Sequence, residues 1–158
     1  MRFMALRMLA LAAIVAAAPA SAASSRSDRT VIRLVSTATS IQEHDVAPKG
    51  TSAGDWVAGN DKLTNAAAQF GKPKGALVGS DRAVFRYVRQ GVVTLTGTAK
   101  LPDGNIRTKG RVRVRSGSRY VIPVVGGTGH YASARGSVTV TNMSKDGKVT
   151  LNVYTLNL

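Results

Sequence analysis

Few side chains in this chain are suited to acid–base, nucleophilic or metal chemistry. There is no cysteine and there are two histidines, His44 and His130, against eight acidic and 22 basic residues. Without cysteine there is neither a thiolate nucleophile nor a thiolate metal site, and two histidines cannot build a multi-histidine zinc centre. The expectation is therefore no metal site and no cofactor. No GxxxxGK[ST] string occurs, and Gly126-Gly127-Thr128-Gly129 leads into a strand-like segment rather than a helix, so neither a phosphate loop nor a dinucleotide fingerprint is present. The other pattern is charge. Arg107, Lys109, Arg111, Arg113 and Arg115 alternate with Thr108, Gly110, Val112 and Val114. Successive side chains of a strand point to opposite faces, so the five cations form one stripe. Such a stripe attracts nucleic acid, anionic lipid or an acidic cell-wall polymer, or serves solubility alone. With three Phe, four Tyr and one Trp, the chain has no obvious platform for stacking bases.

The elements that carry these residues read as strands. Thr30–Thr39, Ala83–Val88, Val92–Lys100, Ile106–Arg115, Arg119–Val125, Gly136–Met143 and Val149–Leu156 are rich in β-branched residues. Turn signals separate several of them: Leu101-Pro102-Asp103-Gly104-Asn105, Ser116-Gly117-Ser118 and Lys145-Asp146-Gly147-Lys148. Residues from Ala47 to Gly79 are dense in Gly, Pro, Ala and Asn, and read as a long loop with a short strand at Ala76–Gly79. The last strand is apolar on both faces, Val149, Leu151 and Val153 on one and Tyr154, Leu156 and Leu158 on the other. That pattern predicts core on one side and a subunit contact on the other. The result is an all-β domain, a sandwich or barrel.

The N-terminus has the three zones of an export signal: Arg2 and Arg7, the apolar run Met8–Ala18, and Ala20-Ser21-Ala22 before the predicted cut. The run is shorter than the ~20 residues that span a bilayer, and no later stretch approaches it. Residues 1–22 are thus read as a signal peptide of a secreted protein, Ala23–Arg29 as a flexible Ser-rich tail, and 30–158 as one domain. Losing Arg2 and Arg7 takes the net charge from +14 to +12.

The element Gly126-Gly127-Thr128-Gly129-His130-Tyr131-Ala132-Ser133-Ala134-Arg135-Gly136 resembles the GGTG-x-[FY]-x-x-A-R-G signature of the dirigent proteins, and the related turn of the allene oxide cyclases. Leu101-Pro102-Asp103-Gly104-Asn105-Ile106, the terminal strand Val149–Leu156 and the pair His44-Asp45 resemble further parts of that superfamily, in the same order. The resemblance implies an eight-stranded antiparallel β-barrel, commonly a trimer, with a cavity at one end. It implies a small apolar or phenolic ligand whose coupling or cyclisation is guided by holding it in one shape. By the same resemblance Asp45 is a candidate general acid, Arg135 a polar cavity residue and His130 a proton shuttle. Gly126, Gly127, Thr128, Gly129 and Tyr131 then belong to the cavity or to its turn. His130 stands where lignan-type dirigents carry an acid. Ser40 stands where a cyclase glutamate is expected, and the cyclase cavity cysteine has no counterpart, so allene oxide cyclisation is not predicted.

Two functions stay open on these grounds. One is a cavity protein in which Asp45 and Arg135 converge on a small ligand, with or without catalysis. The alternative is a non-catalytic secreted module whose stripe from Arg107 to Arg115 binds an anionic polymer or surface.

Overall fold

The computed structural model describes residues 29–113 and 119–158. Residues 1–28, on which the expected signal peptide and most of the expected tail fall, and residues 114–118 lie outside the described residues. Among the described residues no helix is long and apolar enough to cross a membrane.

Eight strands follow one another: β1 (Arg29–His44), β2 (Trp56–Asn65), β3 (Leu77–Arg89), β4 (Val92–Leu101), β5 (Gly104–Arg113), β6 (Tyr120–Gly127), β7 (Arg135–Asn142) and β8 (Val149–Asn157). Each pairs antiparallel with the next, and β1 pairs with β8 from Arg29↔Asn157 to Thr37↔Val149, which closes the barrel. The fold class is the expected one, but the strands of the N-terminal half differ from the expected set. Ala76–Gly79 overlaps the start of β3, and the segment read as a loop contains all of β2. The inward residues of β2 are Val57, Gly59, Asp61, Leu63 and Asn65, a mixed set that hides the apolar–polar alternation on which a strand is recognised.

Alternation fills the barrel unevenly. Toward one end the inward side chains are large. Leu34, Leu63, Ile106 and Leu156 are fully buried there, with Tyr131 as a plug. Each such aliphatic side chain contributes about 1.5–3 kcal/mol by leaving water. Toward the other end several inward positions are small, Ala38, Gly59, Ala83 and Gly97, and the interior stays open. On β8, Tyr154 and Leu156 are buried inside, whereas Val149, Leu151 and Val153 stay half-buried on the outer wall.

The GGTG element closes the filled end. The Thr128 N–H donates to the Asn105 carbonyl (2.9 Å), the Asn105 N–H to Thr128 Oγ1 (3.1 Å) and the His130 N–H to the Asp103 carbonyl (2.9 Å). The motif thus grips the β4–β5 turn. Gly129 has φ +58°, and a Cβ there would lie 2.5 Å from the Asp103 carbonyl oxygen. Gly71 has a similar φ of +65° with open space around it. Gly129→Ala is therefore expected to lower unfolding free energy by about 2 kcal/mol or more, and Gly71→Ala by about 1 kcal/mol, in urea denaturation. Equal losses would mean that backbone strain alone, and not the grip on the turn, sets the cost.

Candidate functional site

The open end of the barrel holds a cavity of about 220 Å³. Its walls are mostly apolar, including Ile41, Val57, Phe85, Leu95, Ile122 and Val138. Set into them are two carboxylates, Asp61 on β2 and Asp81 on β3, which are direct cross-strand partners. Opposed residues of an antiparallel pair lie about 4.5–5.5 Å apart at Cα, a spacing at which like charges repel. Tyr120, Tyr154, Asn152 and Thr108 add hydroxyl and amide groups to the same cavity.

The environments of the two carboxylates differ. Asp61 Oδ2 accepts a hydrogen bond from the buried Ser36 hydroxyl (2.5 Å). Burial, and secondarily the charge of Asp61, push the Asp81 carboxyl up to about 6. Burial and the same two carboxylates raise Tyr120, and raise Tyr154 well above the usual phenol range, so both remain neutral donors. Among the described residues the single ion pair joins Lys148, which also lines the cavity, to Asp146 (3.5 Å) in the β7–β8 turn, and none of those residues forms an ion pair with Asp61 or Asp81. Nor do the described residues bring three or more His, Cys, Asp or Glu together. An apolar chamber with a carboxyl group titrating near neutrality can give or take a proton at a bound oxygen or nitrogen.

The residues expected from the sequence lie elsewhere. Asp45 is exposed in the β1–β2 loop, where its carboxylate accepts from the Gly50 N–H (3.3 Å). Arg135 opens β7 opposite Asn157, which in turn faces Arg29 at the start of β1. The length of β1 therefore separates Asp45 from Arg135, and the two do not converge. The Arg135 guanidinium donates instead to the Ala134 carbonyl (2.8 Å). His130 is exposed, edge-on to Tyr131 at 5.4 Å. Gly126, Gly127, Thr128, Gly129 and the plug Tyr131 form the turn at the filled end, and none of them lines the cavity. Arg107, Lys109, Arg111 and Arg113 share the exposed outer face of β5 as expected, and Arg115 lies outside the described residues. Sequence reasoning missed Asp61, Asp81 and Ser36. The signal for Asp81 was its place two and four residues before Ala83 and Phe85, in step with the inward set.

The chain belongs to the dirigent-like protein family, whose model matches residues 22–157. Its barrel is similar to pyocyanin demethylase (TM-score 0.67, 21% identity, covering 80% of this chain and 99% of that one). It is also similar to a Diels–Alderase from Streptomyces koyangensis (TM-score 0.65, 18% identity, 82% of this chain and 63% of that one). A third is a pterocarpan synthase dirigent protein (TM-score 0.63, 18% identity, 82% and 85%). At these identities the likeness establishes the shared barrel. A search of curated proteins gives no match.

The raised Asp81 value has a consequence for stability. Below the unfolded-state value of 3.8 the carboxyl is protonated in both states; between 3.8 and about 6 the unfolded state ionises first and the folded state loses stability relative to it, and above about 6 no further loss accrues. The loss is on the order of 2–3 kcal/mol. Asp81→Asn is expected to remove this decline, measured as urea-unfolding free energy at pH 4, 5, 6 and 8. An unchanged pH profile in the variant would place the decline elsewhere.

Proposed function

We propose that this protein binds a small apolar or phenolic molecule in the open end of its barrel and guides a ring closure there. The observation that carries this reading is the facing pair Asp61–Asp81 inside an otherwise apolar cavity. The apolar wall holds a flexible conjugated molecule folded, which supplies proximity. The carboxylate pair moves the proton. In the addition of a pendant hydroxyl to a quinone methide, the O–H proton passes to one carboxylate while the other, protonated, donates to the carbonyl oxygen at the far end of the conjugated system. On the substrate one C–O bond forms, the hydroxyl O–H breaks and a phenol O–H forms; the proton left on the first carboxyl then passes to the second, which restores the pair, and nothing is oxidised. The relatives' names, a pterocarpan synthase and a Diels–Alderase, are compatible with ring-forming chemistry in such a chamber. A homo-oligomer, a trimer by family resemblance, would cover the half-exposed outer wall of β8 and β1 at Val31, Leu151 and Val153. The signal-like residues 1–22 support export.

The test uses 1-naphthol as a binding probe and a hydroxyaryl quinone methide as substrate. Asp61→Asn/Asp81→Asn is expected to keep naphthol affinity within about threefold and to slow cyclisation by about 10²-fold or more. Ala83→Leu, which fills the chamber, is expected to lose both. Cyclisation at the wild-type rate in the double Asn variant would contradict the proton relay, and naphthol binding undisturbed by Ala83→Leu would contradict the cavity.

A further inference from the structure

The outer wall of the barrel carries a second built surface, separate from the cavity. Strand β4 runs between β3 and β5, and its outward residues Thr94, Thr96 and Thr98 form a floor of hydroxyls. Pairing sets Arg86 and Arg111 on either side of Thr94, and Arg82 and Arg107 on either side of Thr98. Lys109 stands beside Thr96 between the two arginines of its own strand. Two rails of cations therefore flank the threonine row. Two inter-strand spacings separate them, about 9.5 Å, and successive outward residues along a rail are about 7 Å apart. A groove lies along this floor, bordered by Arg82, Thr96, Thr98, Arg107 and Lys109. The outward positions of β3, β4 and β5 hold no acid, and all five flanking cations are exposed. The same pleat that turns Asp81 inward turns Arg82 outward, so the wall keeps its full positive charge.

We propose that this wall binds an acidic polysaccharide, its carboxylate-bearing chain lying along β4 between the arginine rails. Arginine forks match carboxylates in a bidentate fashion, and the threonine hydroxyls between them match the hydroxyls of a sugar. The outward positions of these three strands carry no aromatic ring, so successive bases of a single-stranded nucleic acid would find nothing to stack on. An export signal at residues 1–22 would bring the protein to such polymers outside the cell.

The experiment titrates the chain lacking residues 1–22 with short polygalacturonate chains by calorimetry at several salt concentrations. Arg82→Gln/Arg86→Gln/Arg107→Gln/Arg111→Gln is expected to weaken binding by about 30-fold or more and to flatten its salt dependence. Lys49→Gln/Lys72→Gln/Lys74→Gln/Lys145→Gln removes the same charge from other exposed positions and is expected to change affinity by less than about threefold. Methyl-esterified polymer is expected not to bind. Equal weakening in the two quadruple variants would reduce the effect to net charge and overturn the proposal. So would absence of binding by the wild type, or displacement of the polymer by a single-stranded oligonucleotide at about one-tenth its concentration. Naphthol binding in the cavity is measured alongside, and its retention in the rail variant keeps the two sites distinct.

Discussion

Closure of β1 onto β8 leaves every strand residue only two places to go, the lumen or the outside. A closed sheet has no edge to absorb a slip in register, and a shift by one residue would exchange its two faces. This constraint makes neighbouring residues of opposite character compatible. Asp81 and Arg82 are adjacent in sequence and stand on opposite sides of the wall. Thr108 lines the lumen while Arg107 and Lys109 face solvent. The barrel thereby separates charge, with a carboxylate pair and neutral phenols inside and the cations of β3 and β5 outside.

The lumen is divided lengthwise by side-chain size. Leu34, Leu63, Ile106, Leu156 and the plug Tyr131 fill one end, and that packing, with the GGTG grip on the β4–β5 turn, supplies the rigidity. Small residues at the other end leave the chamber open at the cost of burying less apolar surface there. Asp81 adds a second cost, because its ionised form is disfavoured in the folded state. The same burial that disfavours the ionised carboxyl sets up the proton transfer proposed for the cavity.

The fold was legible because the strands from residue 83 onward are rich in β-branched residues, most of them alternate, and strong turn signals separate them. The motif Gly126–Gly136 also pointed to the right family. The site was not legible, for two reasons, the first of which also hid β2. In Val57, Gly59, Asp61, Leu63 and Asn65 the inward face is part apolar and part polar, so the segment lacks a periodic signal. Asp61 goes unseen with that strand, and Asp81 goes unseen because the β-branched run that marks β3 begins only at Ala83. The most conspicuous motif drew attention to Arg135 and His130, which belong to the filled end. Gly127 and Gly129 are required by the close approach of Asn105 and Asp103 at the β4–β5 turn, and Gly136 by the Thr155 carbonyl of β8. The basic stripe was visible on β5 alone; its counterpart at Arg82 and Arg86 emerges only from the pairing through β4.

The central claim is that Asp61 and Asp81 form a coupled pair inside a ligand-binding chamber. Carbon-13 NMR of the aspartate carboxyl groups, titrated from pH 3 to 8 with and without 1-naphthol, tests it most directly. The expected result is an Asp81 carboxyl with a midpoint near 6, shifted when the phenol is present and lowered in part in Asp61→Asn, where burial still holds it above the ordinary aspartate range. A titration at the ordinary aspartate value, indifferent to both the phenol and the Asp61 substitution, would contradict the account.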